Sequence, residues 1–483
     1  MITFDYTITN RKLIIRCDDK NIYDNLREHF SVEDKNASFI RRRFSTRRFK
    51  VPTRKYAITP TGLCDLGLFW EIKKYFITNQ ITDKVIYTEK LKEVLNCGSN
   101  KPVYKDFAIK LRDYQEEVVE KAVKNGWGTC VLGTGAGKTL TTAALIENYY
   151  INSPNPGSFK CIMIVPDLGL VQQTYDEFNL SGITFKLTKW TGSNKPDLTS
   201  NVIICNIQIL LSQFKENEWV KYIDLLIVDE CHKVKSSNEI SKIISSIKTN
   251  NRYGFTGTLP DNDLDKWFLI GRLGPILYEK SSHNLRLEKY LTNVEVRIIN
   301  LSYKDTFIPQ ITDSEYRNEL NFLYTHKKRN SFIAQLSNKL NNNTLILVNH
   351  IIHGESLLAA VKDVSKDKEV FFIRGEVEVE ERENIKKLME SNNNVICIAI
   401  SAIFSTGVNI KNLHNILFVS GGKSFIRTVQ SIGRGLRLHK DKNKLKIIDL
   451  CDNLKYGNKH SEKRKQIYNS EKINYTEKNI DIY

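Results

Sequence analysis

CVLGTGAGKTLTTAALIENYY, Cys130 to Tyr150, runs from an apolar strand-like stretch through a glycine-rich turn into a segment of helical composition. Glycines in such a turn let successive backbone N–H groups close around phosphate oxygens, and the positive end of the following helix adds to the attraction. Gly133, Thr134, Gly135, Ala136 and Gly137 would form the cradle, Lys138 would reach the β and γ phosphates of ATP, and Thr139 would support Mg2+. The phosphate-loop pattern asks for glycine where Leu132 stands, so the match is a relaxed one.

Outward from this turn, β-rich runs recur at 127–132, 161–166, 201–205, 224–229 and 252–256, with intervals long enough for helices. Short buried runs separated by crossover helices predict a parallel sheet in a doubly wound α/β domain. Runs at 344–348, 369–373, 394–400, 415–419 and 444–450 repeat the rhythm, so a second α/β domain is expected. The polar stretch 284–325 reads as their connection. The expected division is a small basic α+β domain over 1–107, a first parallel-sheet domain over 108–283, the connecting segment 284–325, and a second parallel-sheet domain over 326–483 with a polar tail. In that tail a helix over 459–469 would place His460, Arg464 and Tyr468 on one face, to pack on the second domain or contact DNA.

Two further motifs suit phosphoryl transfer, which needs a metal, charge neutralisation and an aligned nucleophile. VDECH, Val228 to His232, follows the apolar run DLLIV, so its acidic pair would emerge at the carboxyl edge of the sheet, where ligands bind. There Asp229 would hold Mg2+ and Glu230 would position and deprotonate water. QSIGRGLR, Gln430 to Arg437, places Gln430, Arg434 and Arg437 on one helical face, as fingers for charge on the γ phosphate. Cys231 reads as a small buried spacer.

The chain of 483 residues carries 72 Lys and Arg against 55 Asp and Glu, a formal charge of +17. Such an excess points to a polyanionic partner, nucleic acid before a membrane surface. Over half of it lies in residues 1–110, where 22 basic residues face 13 acidic ones. RRRFSTRRFKVPTRKY, 41–56, interleaves eight cations with Phe44, Phe49 and Tyr56, a composition suited to phosphates and stacked bases. Arg41, Arg42, Arg43, Arg47 and Arg48 are the candidate contacts. GLFWEIKKYF, 67–76, has helical spacing at Leu68, Ile72 and Phe76 and reads as core. Nine scattered cysteines without a Cys-x-x-Cys pair indicate neither zinc nor disulfides, and no apolar run approaches a membrane span, so a cytoplasmic setting is expected.

Over about 108–452 the chain resembles superfamily 2 helicases of the DExH type, with seven elements in order: LRDYQ, GTGAGKT, VPDLGLVQQTYDEF, VDECH, FTGT, SAIFSTGVN and QSIGRGLR. The resemblance implies two tandem RecA-like domains. It also implies that Arg112 and Gln115 meet adenine, that Gln173 with Ser405 and Thr406 meets nucleic acid, and that Gly407 and Asn409 lie by the nucleotide. His232, Thr256 and Thr258 would couple hydrolysis to movement. Asn409 stands where many relatives have Asp, and its neutral amide can still hydrogen-bond a ribose hydroxyl.

A closer resemblance is to the UvsW-type helicases of T-even-like bacteriophages, carried by the early basic and aromatic run, GLFWEIKKYF, VDECH, NHIIHGESL, FSTGVNIKNLH and QSIGRGLRLH. It implies ATP-dependent remodelling of branched DNA in recombination, repair and replication: branch migration, fork regression and displacement of invading strands. Phage recombination or single-strand-binding proteins are the implied protein partners, and a monomer is favoured. Three other functions share these motifs: an RNA helicase, a restriction-type duplex translocase, and an annealing module with a vestigial ATPase.

Overall fold

The computed structural model describes residues 1–7, 11–34, 53–81, 85–98, 102, 107–234, 238–304, 316–374, 379–401, 410, 412–420 and 444–482. β1 (Ile2–Thr7) and β2 (Lys12–Cys17) alternate apolar and polar residues and pair antiparallel, burying Ile2, Phe4, Tyr6, Leu13 and Ile15. β3 (Ser31–Glu33) and β4 (Arg54–Tyr56) form a small antiparallel pair. β5 (Leu63–Asp65) and β6 (Val85–Tyr87) complete a four-stranded sheet of order β5-β2-β1-β6. The helix Phe69–Thr78 covers that sheet with Phe69, Ile72 and Phe76, and Leu68 is buried just before it, so 67–76 is core as its spacing predicts. Trp127 and Leu264 belong to the same apolar cluster, which therefore runs on into the first α/β domain.

That domain is a seven-stranded parallel sheet of β7 (Gly128–Leu132), β8 (Cys161–Val165), β9 (Leu187–Trp190), β10 (Val202–Asn206), β11 (Leu225–Asp229), β12 (Arg252–Thr256) and β13 (Ile276–Lys280), in the order β13-β7-β12-β11-β8-β10-β9. The inner strands are the apolar runs found in the sequence. β9 and β13 are edge strands, half-covered and mixed in composition, and so carry no continuous apolar signal.

The second domain has the same architecture. Its strands are β14 (Asn293–Tyr303), β15 (Thr344–Val348), β16 (Glu369–Ile373), β17 (Val395–Ile400), β18 (Asn415–Phe418), β19 (Lys444–Asp452) and β20 (Tyr475–Ile482), all parallel in the order β16-β17-β15-β18-β19-β14-β20. The segment 284–325, expected to be a connection, thus contributes an eleven-residue strand of this sheet. β14 escapes notice because its outer face is exposed, giving NVEVRIINLSY an alternating rather than apolar pattern. The polar tail supplies β20 and the helix Lys455–Ser470, which packs on its own domain: Arg464 Nε and Tyr468 Oη both donate to Asp449 Oδ2, at 2.8 and 3.0 Å.

Two compact units result, Met1–Gly133 with Gly137–Lys280, and Thr134–Ala136 with Ser281–Tyr483, so residues 1–107 belong to the body of the first domain. No helix among the described residues is long and apolar enough to cross a membrane.

Candidate active site

β7 ends in the glycine turn, where Gly135 and Gly137 take the left-handed φ values of +84° and +74°. Side chains there would be strained, and a Cβ on Gly137 would also overlap Gln115 Nε2. The turn opens the helix Lys138–Ile151, with Thr139 half-buried in its first turn. Lys138 Nζ donates to Leu132 O at 3.4 Å and stands 3.6 Å from Glu230 Oε1. Gln115, expected beside adenine, is buried and links two motifs: its Oε1 accepts from Arg112 N–H at 2.9 Å and its Nε2 donates to Gly137 O at 3.4 Å.

β11 delivers Asp229 and Glu230 to the carboxyl edge of the sheet, as VDECH predicts. Asp229 Oδ1 accepts from the Glu230 N–H at 2.9 Å, and Glu230 has φ +46°, a strained conformation of the kind that concentrates at active sites. His232 Nδ1 lies 3.3 Å from Glu230 Oε2 and 2.7 Å from Thr256 Oγ1. Because the Thr256 hydroxyl donates to Thr258 O at 2.8 Å, its oxygen accepts from His232, which assigns the proton to Nδ1. An unbroken chain of contacts therefore runs Lys138, Glu230, His232, Thr256, Thr258. Burial, then the neighbouring Glu230 and Asp229, push the Cys231 thiol well up; it is a wholly buried spacer, as expected.

The arrangement fits ATP and Mg2+: donors around a helix start, a cation, a hydroxyl in the first turn, and two carboxylates at the sheet edge. Gln173 is half-buried on the helix Leu168–Ser181, its Nε2 donating to Glu177 Oε1 at 2.8 Å. Arg41, Arg42, Arg43, Arg47, Arg48, Ser405, Thr406, Gly407, Asn409, Gln430, Arg434 and Arg437 lie outside the described residues. In the second domain Asn349 Oδ1 accepts from Ser401 Oγ at 2.5 Å where β15 and β17 end side by side, a contact that the motifs do not announce.

Residues 108–261 match the family described as the res subunit of type III restriction enzymes, and 327–439 the helicase conserved C-terminal domain. The chain is 28% identical to the ATP-dependent DNA helicase uvsW of Enterobacteria phage T4, over 97% of each chain. It is 23% identical to the DNA 3'-5' translocase XPB2 of Sulfurisphaera tokodaii, covering 78% of this chain and 88% of that one. Among solved structures, the ATP-dependent type ISP restriction-modification enzyme LlaBIII bound to DNA aligns with a TM-score of 0.58 at 17% identity, over 83% of this chain and 34% of that one, a likeness of fold. Fold, motif order and sequence likeness agree: the chain carries the paired domains of superfamily 2 helicases and is an ATP-hydrolysing helicase enzyme.

Proposed function

We propose that this enzyme is an ATP-dependent DNA helicase that remodels branched DNA, by branch migration, fork regression and dissociation of invaded duplexes, in the cytoplasm of a phage's host. The observation that carries the motor is the chain of contacts from Lys138 through Glu230 and His232 to Thr256 and Thr258. The near full-length likeness to an ATP-dependent DNA helicase supports DNA as the track.

Lys138 and the amides of Gly135 to Thr139 bind and orient the phosphates. Thr139 and Asp229 would hold Mg2+, which would supply charge neutralisation for phosphoryl transfer. Glu230 holds water against the γ phosphate and takes its proton. Its second carboxylate oxygen stays with His232, so a change in charge at Glu230 is felt at Thr256. Arg434 and Arg437 would supply positive charge for the γ phosphate, and Gln173, Ser405 and Thr406 are the strand contacts of this reading. The basic run adds a further grip: its described end is β4, before which the Thr53 carbonyl accepts from Asp34 N–H at 2.8 Å, and Arg27 lies 4.6 Å from the ring centre of Tyr56, the last residue of the run.

The test compares ATP hydrolysis by wild type and Lys138→Ala with no polynucleotide, single-stranded DNA, a four-way junction or RNA, alongside gel-resolved junction dissociation. Stimulation by DNA, greatest with the junction, and no dissociation by Lys138→Ala are expected. Stimulation by RNA alone, or movement on duplex without strand exchange, overturns the substrate assignment.

A further inference from the structure

The stretch 249–273 carries the turn before β12, β12 itself, the FTGT run and the helix Asp263–Leu273. Its start is pinned by two guanidinium groups. Arg252, wholly buried, donates from Nη2 to Ile247 O and Thr249 O at 2.6 and 2.8 Å. Arg11, from the β1–β2 turn, donates from Nη1 to the same Thr249 O at 2.7 Å and to Asn250 Oδ1 at 2.6 Å. Arg11 sits at φ +48°, almost fully buried, its guanidinium 5.4 Å from the ring centre of Trp127. The far end of the stretch is held as well. Asp65, paired with Lys12, lies 3.5 Å from Arg272 Nε, and a Cβ on Gly67 would overlap Ile270 O.

The N-terminal region thus grips the chain on both sides of Thr256 and Thr258. A tethered nucleic-acid-binding domain has no need of this, and buried charge is a costly adhesive where apolar packing would serve. What directed charge contacts provide is position. Thr256 Oγ1 already accepts from His232 and donates to Thr258 O, so small displacements of β12 break its link to Glu230.

We infer that Arg11 and Asp65 are positioning residues for the FTGT segment, and that through them the N-terminal region couples nucleic-acid binding to ATP hydrolysis. This rests on the reading that Thr256 and Thr258 couple hydrolysis to movement.

The experiment measures DNA affinity, KM for ATP, and kcat with and without DNA for the full chain. Arg11→Met should keep DNA-free hydrolysis, DNA affinity and KM, and lower DNA-stimulated kcat about tenfold, the scale of a coupling element. Arg11→Lys, which keeps a donor and the charge, should restore most of it. Asn250→Ala should reproduce the split, and Arg11→Met with Asn250→Ala should be no worse than either alone. Asp65→Asn should show the same split. Proportional loss of basal and stimulated rates, additive effects, or no rescue by Arg11→Lys overturns the inference in favour of simple structural support. Thr256→Ala is the control. If it uncouples and Arg11→Met does not, only this inference falls; if Thr256→Ala leaves coupling intact, the reading beneath falls and takes the inference with it.

Discussion

Replacing Arg464 by Met should strand a carboxylate inside the second domain. Asp449 is wholly buried at the centre of β19, and one of its oxygens takes both Arg464 Nε and Tyr468 Oη. Met keeps most of the packing volume and removes the charge, so a buried carboxylate would remain with only the Tyr468 hydroxyl and the weak Cys451 thiol as side-chain donors. Breaking a buried pair on one side costs about 3 to 5 kcal/mol, whereas removing both partners is often nearly neutral. For a body of about 200 residues that loss corresponds to a fall in melting temperature of about 6 to 20 °C in the transition of the second unit. Thermal melts of wild type, Arg464→Met and Arg464→Met with Asp449→Asn would measure it. The single variant should melt far lower than wild type, and the double variant should recover most of the loss. A double variant as unstable as the single would refute the claim that stranded charge, rather than lost packing, is the cause.

Gly137→Ala should reduce ATP turnover at least tenfold in a steady-state assay, because the left-handed backbone resists a side chain and the new methyl would displace Gln115; near-normal turnover would show that the turn relaxes freely. Asp65→Leu should destabilise the first unit by about 3 kcal/mol in urea melts by removing the buried carboxylate that Lys12 and Arg272 share, and adding Arg272→Leu should recover part of it; equal losses would sink this account. His353 is buried in the second domain and held well below the usual histidine range by burial and then by Arg329, so it stays neutral in the folded chain. The unfolded chain takes up that proton below pH about 6.5, so stability is full above that pH and falls by up to about 1.4 kcal/mol per unit below it. His353→Asn should flatten this slope in pH-dependent denaturation, and an unchanged slope would assign it to other groups.

Much of the site was legible before any fold was known. Local chemistry explains why: Gly135 and Gly137 supply backbone conformations that other residues resist, Lys138 and Thr139 must follow at fixed spacing, and VDECH has to end an apolar strand. Inner strands of a parallel sheet are buried on both faces, so β7, β8, β10, β11 and β12 announced themselves as apolar runs. The spacing of His460, Arg464 and Tyr468 likewise specified a helix with an inward face, though not the carboxylate that Arg464 would meet.

What only tertiary structure decided involves partners far apart in sequence. β14 and β20, half-exposed strands with mixed composition, become recognisable only once hydrogen-bonded to each other and to β19. The surplus charge of residues 1–110 suggested a separate nucleic-acid-binding domain, because charge reports on a surface and not on what lies beneath it. The fold turns Arg11 and Asp65 inward onto Asn250 and Arg272, contacts that span some two hundred residues and leave no periodicity in the chain. Sequence by itself determined the enzyme's chemistry and the count of its α/β domains, since both depend on short-range order. The joining of the N-terminal region to the segment that carries Thr256 and Thr258 was decided by packing, where burial and directed charge select one docking among many that the composition would allow.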